Sequence, residues 1–146
     1  RWADQAVMRR SHALGSEVTM TVLGASSRRA NQALDAAFAE LETVEQVMSL
    51  YRDDSQLCRL NRERIVTRPH PYLVEVLTAA AATSQLSDGA FDVTVQPLWD
   101  LFASAKKEGR LPTNEEIAET RQAVDWRSVV ARCDSIELKE PVRSVT

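Results

Sequence analysis

The sequence is short of the residues that most often announce a function. It has two cysteines, Cys58 and Cys133, far apart, in no CxxC pair and with no histidine at ligand spacing. A disulfide framework or a zinc site is therefore not expected, and two free or buried thiols remain. Basic residues are not in excess: 18 Lys and Arg stand against 21 Asp and Glu, for a formal net charge of -3. A nucleic-acid binder normally carries a Lys/Arg-rich face, so that class is set aside. No apolar run approaches the ~20 residues that span a bilayer. There is no internal repeat, no low-complexity tract, and no GxGxxG, P-loop, GxSxG, HExxH or kinase signature. The two histidines, His12 and His70, have no predicted base or ligand beside them.

What is present is ordinary globular material. The chain has 146 residues, 44% of them hydrophobic and 27% charged. That is enough apolar content for one domain with a core and too much for a disordered chain. It starts at Arg1 rather than Met, so an N-terminal piece is expected to have been removed. Ser135–Glu140 alternates like a strand, and Val142–Thr146 reads as the start of another with no terminating signal. A strand end needs a neighbour for its backbone groups, so a fragment is expected.

Along the chain, Glu17–Leu23 alternates, with Val18, Met20 and Val22 on one face and Glu17, Thr19 and Thr21 on the other. That is a half-buried strand. Gly24 ends it, and Ser26 or Ser27 suits a helix cap. Within Ala30–Leu50, Leu34, Phe38, Leu41, Val44 and Met48 recur at steps of three and four, predicting a long amphipathic helix whose stripe packs on the core. Asp53, Asp54 and Ser55 break that pattern and suit the cap of a short helix over Gln56–Leu60. Ile65–Val66 reads as a short extended piece. Pro71 suits the first turn of a helix over Tyr72–Ser87, with Leu73, Val76, Leu77 and Ala80 inward and Gly89 as its stop. Asp92–Gln96 reads as a short strand. Pro97 opens a third helix with Leu98, Leu101, Phe102 and Ala105 inward, and Lys106 and Lys107 near its C-terminus. Thr113–Glu116 has capping-box spacing and opens a fourth. Strands and helices alternate irregularly, without a βαβ series, so the class is α+β, an antiparallel or mixed sheet packed with several helices.

Asp88–Asp92 (DGAFD) stands out chemically. Gly89 and Ala90 are small enough for a ligand or another backbone to come close. Asp92 is a hydrogen-bond acceptor or an outer-sphere Mg²⁺ partner, and Thr94 adds a hydroxyl on the same predicted strand face. The plainer reading is a helix stop followed by a strand. Tyr51 either closes the core at a helix end or stacks on a planar ligand. Asn61 either caps the short helix or meets a ligand.

Three segments taken in order, HALGSEVTMTVLG, MSLYRDDSQLCRLN and SDGAFDVTVQPLWDLF, resemble the ApbE family of FAD:protein FMN transferases and, within it, the NosX-like accessory proteins of nitrous oxide reductase. The resemblance covers about the whole chain as the N-terminal half of a family member. It implies binding of FAD with Mg²⁺, cleavage of the pyrophosphate, and transfer of FMN to a Thr or Ser hydroxyl of a target flavoprotein, releasing AMP. It also implies a periplasmic or membrane-associated setting. It places Leu14 and Tyr51 along the FAD site, with Leu14 where the family usually has Met. It matches Ala90, Phe91 and Asp92 to an FAD-contacting AFD triplet, Asn61 to a Leu/Phe-Asn motif, and Thr94 to a frequent Thr. The Mg²⁺ ligands, a GxAKG-type segment and a histidine are expected after Thr146. The isolated chain is then expected to be inactive, because a metal that stabilises the leaving pyrophosphate would be missing. The rivals are a non-catalytic flavin-binding accessory module and a structural or interaction domain. A half-domain exposing core surface is expected to form a homodimer to cover it.

Overall fold

The computed structural model describes residues 6–146. It begins with an antiparallel hairpin, β1 (Ala6–Ala13) and β2 (Ser16–Leu23). Val18, Met20 and Val22 are half-buried while Thr19, Thr21 and Leu23 are exposed, so the alternation read for β2 is the one found. The strand β1 had no such signature. Its inward position Arg9, opposite Met20, is charged, and its guanidinium reaches Asp35 Oδ1 at 2.5 Å and Asn31 Oδ1 at 3.1 Å. An arginine stem lying on an apolar face while its head finds a carboxylate removes the period-2 pattern.

Both of those partners lie on α1 (Ser27–Met48), which runs across the hairpin. Ala30, Leu34 and Val47 are buried, and Phe38, Leu41, Val44 and Met48 are half-buried along the same face. The expected stripe is therefore the packing face. Ser55 caps α2 (Gln56–Glu63): its hydroxyl oxygen accepts from Cys58 N–H at 3.0 Å and its hydroxyl donates to Ser49 O at 2.6 Å. Cys58 and Cys133 are free thiols, as expected.

A second sheet has the order β3 (Ile65–Thr67), β5 (Ser135–Leu138), β4 (Val129–Ala131), all antiparallel. Val66, Ile136 and Leu138 on it pack with Leu57, Leu60, Leu73, Leu77, Val93, Val142 and Val145 into the main core. The helix α3 (Pro71–Leu86) starts at Pro71 and buries Leu73, Leu77, Ala80 and Ser84. Val76, expected inward, sits beside that stripe and is exposed. On α4 (Gln96–Lys107) Ala105 is buried, but Phe102, also expected inward, is exposed, because α4 packs chiefly on the small helix α5 (Asn114–Arg121). The capping box at Thr113 and Glu116 is present as predicted.

Two expected strands are absent among the described residues. Residues 92–95 form a turn rather than a strand, because the Asp92 carboxylate takes the Thr94 N–H that a ladder would have used. Residues 142–146 are irregular. Their apolar alternation buries Val142 and Val145 in the core, and the backbone bonds go to Lys139, Asn61 and Val93 instead of to a neighbouring strand. The α+β class holds.

Candidate functional site

The end of α3 builds the first wall. Asp88 and Gly89 both take positive φ, 50° and 79°. This reverses the chain, and the Gly89 N–H donates back to Ser84 O at 2.8 Å. Phe91 N–H then donates to Ser87 Oγ at 3.1 Å. Phe91 itself is left half-open to solvent.

Asp92 and Thr94 tie this turn to a distant segment. Asp92 Oδ1 accepts from Thr94 N–H at 2.8 Å and from the Thr94 hydroxyl at 2.6 Å. Asp92 Oδ2 accepts from Trp126 N–H at 3.0 Å, and Thr94 Oγ1 accepts from Asp125 N–H at 2.9 Å. A charged acceptor carrying several such bonds is a strong local staple. It fixes residues 125–127, a 3-10 turn over Trp126–Ser128, against the DGAFD turn.

Between these two segments lies a cleft of about 570 Å³, lined by Asp88 to Val93, Arg121, Trp126, Arg127 and Thr146. The Arg127 guanidinium covers the Trp126 ring at 4.7 Å, a cation–π arrangement. The Trp126 indole Nε1 is buried without a hydrogen-bond partner among the described residues. A Cβ added at Gly89 would lie 4.0 Å from that nitrogen, so Gly89 closes the wall directly over it.

A second cleft is built around Tyr51. Tyr51 follows α1 and is 96% exposed, which settles one alternative: it does not close the core. With Leu14, His12, Val44, Met48 and Leu50 it lines an apolar cleft of about 460 Å³. A third cleft, of about 660 Å³, is lined by Leu50, Tyr51, Gln96, Trp99, Asp100, Ala103 and Thr146. It shares Leu50 and Tyr51 with the Leu14 cleft and Thr146 with the Asp88–Phe91 cleft.

Of the residues singled out from sequence, Leu14 and Tyr51 line one cleft, and Ala90, Phe91 and Asp92 line another. Thr94 is fully buried behind the wall and shares no strand face with Asp92. Asn61 sits inside α2, so it does not cap it. Its amide grips the Val145 backbone, and none of the three clefts includes it. Sequence reasoning missed Trp99, Arg121, Trp126 and Arg127. Trp99 had a signal: it stands off the Leu98, Leu101 and Ala105 face of α4 and is 67% exposed. Trp126 and Arg127 had none, since only tertiary structure brings them to Gly89. Among the described residues no group of three or more His, Cys, Asp or Glu side chains is placed to hold a metal ion.

A family model described as the ApbE family matches residues 14–145. The chain belongs to the ApbE family. Relatives within reach of it include the FAD:protein FMN transferase of Haemophilus influenzae, 35% identical over 104 residues, covering 68% of this chain and 29% of that protein. The FAD:protein FMN transferase of Salmonella typhimurium is 28% identical over 109 residues, covering 71% of this chain and 31% of that protein. The apo flavinyl transferase ApbE of Pseudomonas stutzeri superposes with a TM-score of 0.75 at 23% identity, over 94% of this chain and 48% of that one. The flavin transferase ApbE of Vibrio cholerae gives a TM-score of 0.74 at 24% identity, over 97% of this chain and 47% of that one. At these identities the superpositions establish the ApbE-like fold. The chain spans about a third of the length of the sequence relatives and about half that of the solved structures.

Proposed function

We propose that this ApbE-family chain carries the flavin-binding portion of an FAD:protein FMN transferase. The reading rests on shared lining: motif segments far apart in sequence line three clefts that have Leu50, Tyr51 or Thr146 in common. An extended dinucleotide reaching across them is the ligand this reading assigns.

The residues present fit FAD. The exposed Tyr51 and Trp99 rings offer faces for a planar group, and Leu14, Met48 and Leu50 give the Tyr51 end an apolar lining. At the other end Arg121 and Arg127 are the groups able to meet phosphates, beside Asp88, Asp92 and Asp125 in the same lining. Gly89 and Ala90 let the ligand approach the backbone closely. Asp92 and Thr94 act on binding through the shape of the wall. FAD, when bound, supplies the FMN moiety for transfer to a Thr or Ser hydroxyl of a target flavoprotein. This chain's residues bind and orient it and exclude water from its apolar end.

Among the described residues no group of three or more His, Cys, Asp or Glu side chains is placed to hold a metal ion, and no step is assigned to one. We infer that Mg²⁺ ligands lie outside it and that the chain alone binds FAD without completing transfer. The proposed setting is the periplasm or the membrane surface, on the family resemblance alone.

The test is an FAD titration of this chain with and without Mg²⁺, followed by tryptophan fluorescence, together with an FMN-transfer assay on a target peptide. Saturable quenching without transfer supports the reading. Robust Mg²⁺-dependent transfer by the chain alone overturns the claim that it is incomplete, and no flavin binding overturns the flavin site.

A further inference from the structure

The tip of the hairpin breaks a local rule. Ala13 pairs with Ser16, so the loop has two residues, Leu14 and Gly15, with φ of 54° and 73°. Two-residue turns with both φ positive favour Asn, Asp or Gly at the first position. Leucine is poorly suited there, because its Cβ crowds the following carbonyl. Burial returns little, since Leu14 is 53% exposed.

A carboxylate meets it. Leu14 N–H donates to Glu45 Oε1 at 2.8 Å, from the hairpin tip to the last turn of α1. A carboxylate accepting a backbone N–H is a charge-assisted bond, stronger than a neutral one. The same helix end leads into Tyr51, and Leu14, Glu45 and Tyr51 line one cleft. A strained, exposed apolar residue with a dedicated carboxylate marks a site where conformation is held for function rather than stability.

We propose that Glu45 is a positioning residue for the Tyr51 end of the site. It holds Leu14 in the left-handed conformation, so that Leu14 and Tyr51 line the same cleft for a planar ring system. The role in binding rests on the flavin reading above; the clamp itself does not.

The experiment compares wild type, Glu45→Gln and Glu45→Ala by amide hydrogen exchange at Leu14 and by FAD titration. The Leu14 amide is protected in the wild type and in Glu45→Gln, whose side-chain oxygen still accepts, and exchanges freely in Glu45→Ala. FAD affinity falls about tenfold in Glu45→Ala and stays within about threefold in Glu45→Gln. An unprotected Leu14 amide in the wild type, or equal protection and affinity in Glu45→Ala, overturns the clamp. Loss of protection in Glu45→Ala, with no FAD binding by any variant including the wild type, upholds the clamp and overturns the flavin role.

Discussion

One side chain holds both backbone groups of a residue far along the chain. Asn61 Nδ2 donates to Val145 O at 2.9 Å, and Asn61 Oδ1 accepts from Val145 N–H at 2.8 Å. The pair docks irregular residues 142–146 on α2, where Val142 and Val145 are fully buried. Thr146, next in the chain, lines two of the three clefts. Asn61 therefore anchors the segment that brings Thr146 to both clefts.

Asn61→Ala leaves two partly buried backbone groups unpaired. We expect a loss of about 2 kcal/mol in urea unfolding, from the ordinary cost of orphaned hydrogen-bonding groups. An unchanged unfolding midpoint would mean that the segment is held by apolar contacts alone.

Asp92→Ala removes three bonds at once, among them the link to Trp126. The expected loss is about 3 kcal/mol of stability, accompanied by loss of FAD binding. Thr94→Val keeps the volume but strands the Asp125 N–H, at about 1–2 kcal/mol. If Asp92→Ala weakened FAD binding while leaving stability untouched, Asp92 would be a ligand contact and not a staple.

Tyr51→Ala should behave in the opposite way. A side chain this exposed contributes within about 0.5 kcal/mol to folding. Loss of one stacking partner costs about 1–3 kcal/mol of binding. Thermal melts should overlay, and the FAD dissociation constant should rise about fivefold or more.

The Glu116 carboxyl is held down to about 2, first by its hydrogen bond with the Arg110 guanidinium and then by the Thr113 N–H. A carboxyl depressed in the folded state contributes stability above its ordinary value and loses it as pH falls toward the depressed one. The capping box should therefore weaken as pH falls from about 4.5 toward 2, by a small and salt-sensitive amount, because the pair is exposed. Carbon-13 titration of the Glu116 carboxyl checks this. In Arg110→Ala its midpoint should move up toward the ordinary carboxylate range, and an unmoved midpoint would remove Arg110 as the cause.

The helices were legible because their signals are local. The stripe from Leu34 to Met48, the proline at Pro71 and the Thr113–Glu116 box each specify an element without reference to anything distant. The failures share one cause. Arg9 hides β1 because its partners, Asp35 and Asn31, lie on another element. Asp92 turns an apparent strand into a turn because its side chain replaces ladder bonds and reaches Trp126. The site was half legible for the same reason. Leu14, Tyr51 and the Ala90–Asp92 triplet carry recognisable motifs, whereas Trp126 and Arg127 become lining residues only through the Asp92 link.

One flavin dinucleotide should reach both the Tyr51 cleft and the Phe91 cleft. Calorimetric titration of FAD into wild type, Tyr51→Ala and Phe91→Ala checks this. One site per chain is expected in the wild type, with about tenfold weaker binding in each variant. Absence of binding, or binding insensitive to either substitution, would mean that no single dinucleotide uses both clefts.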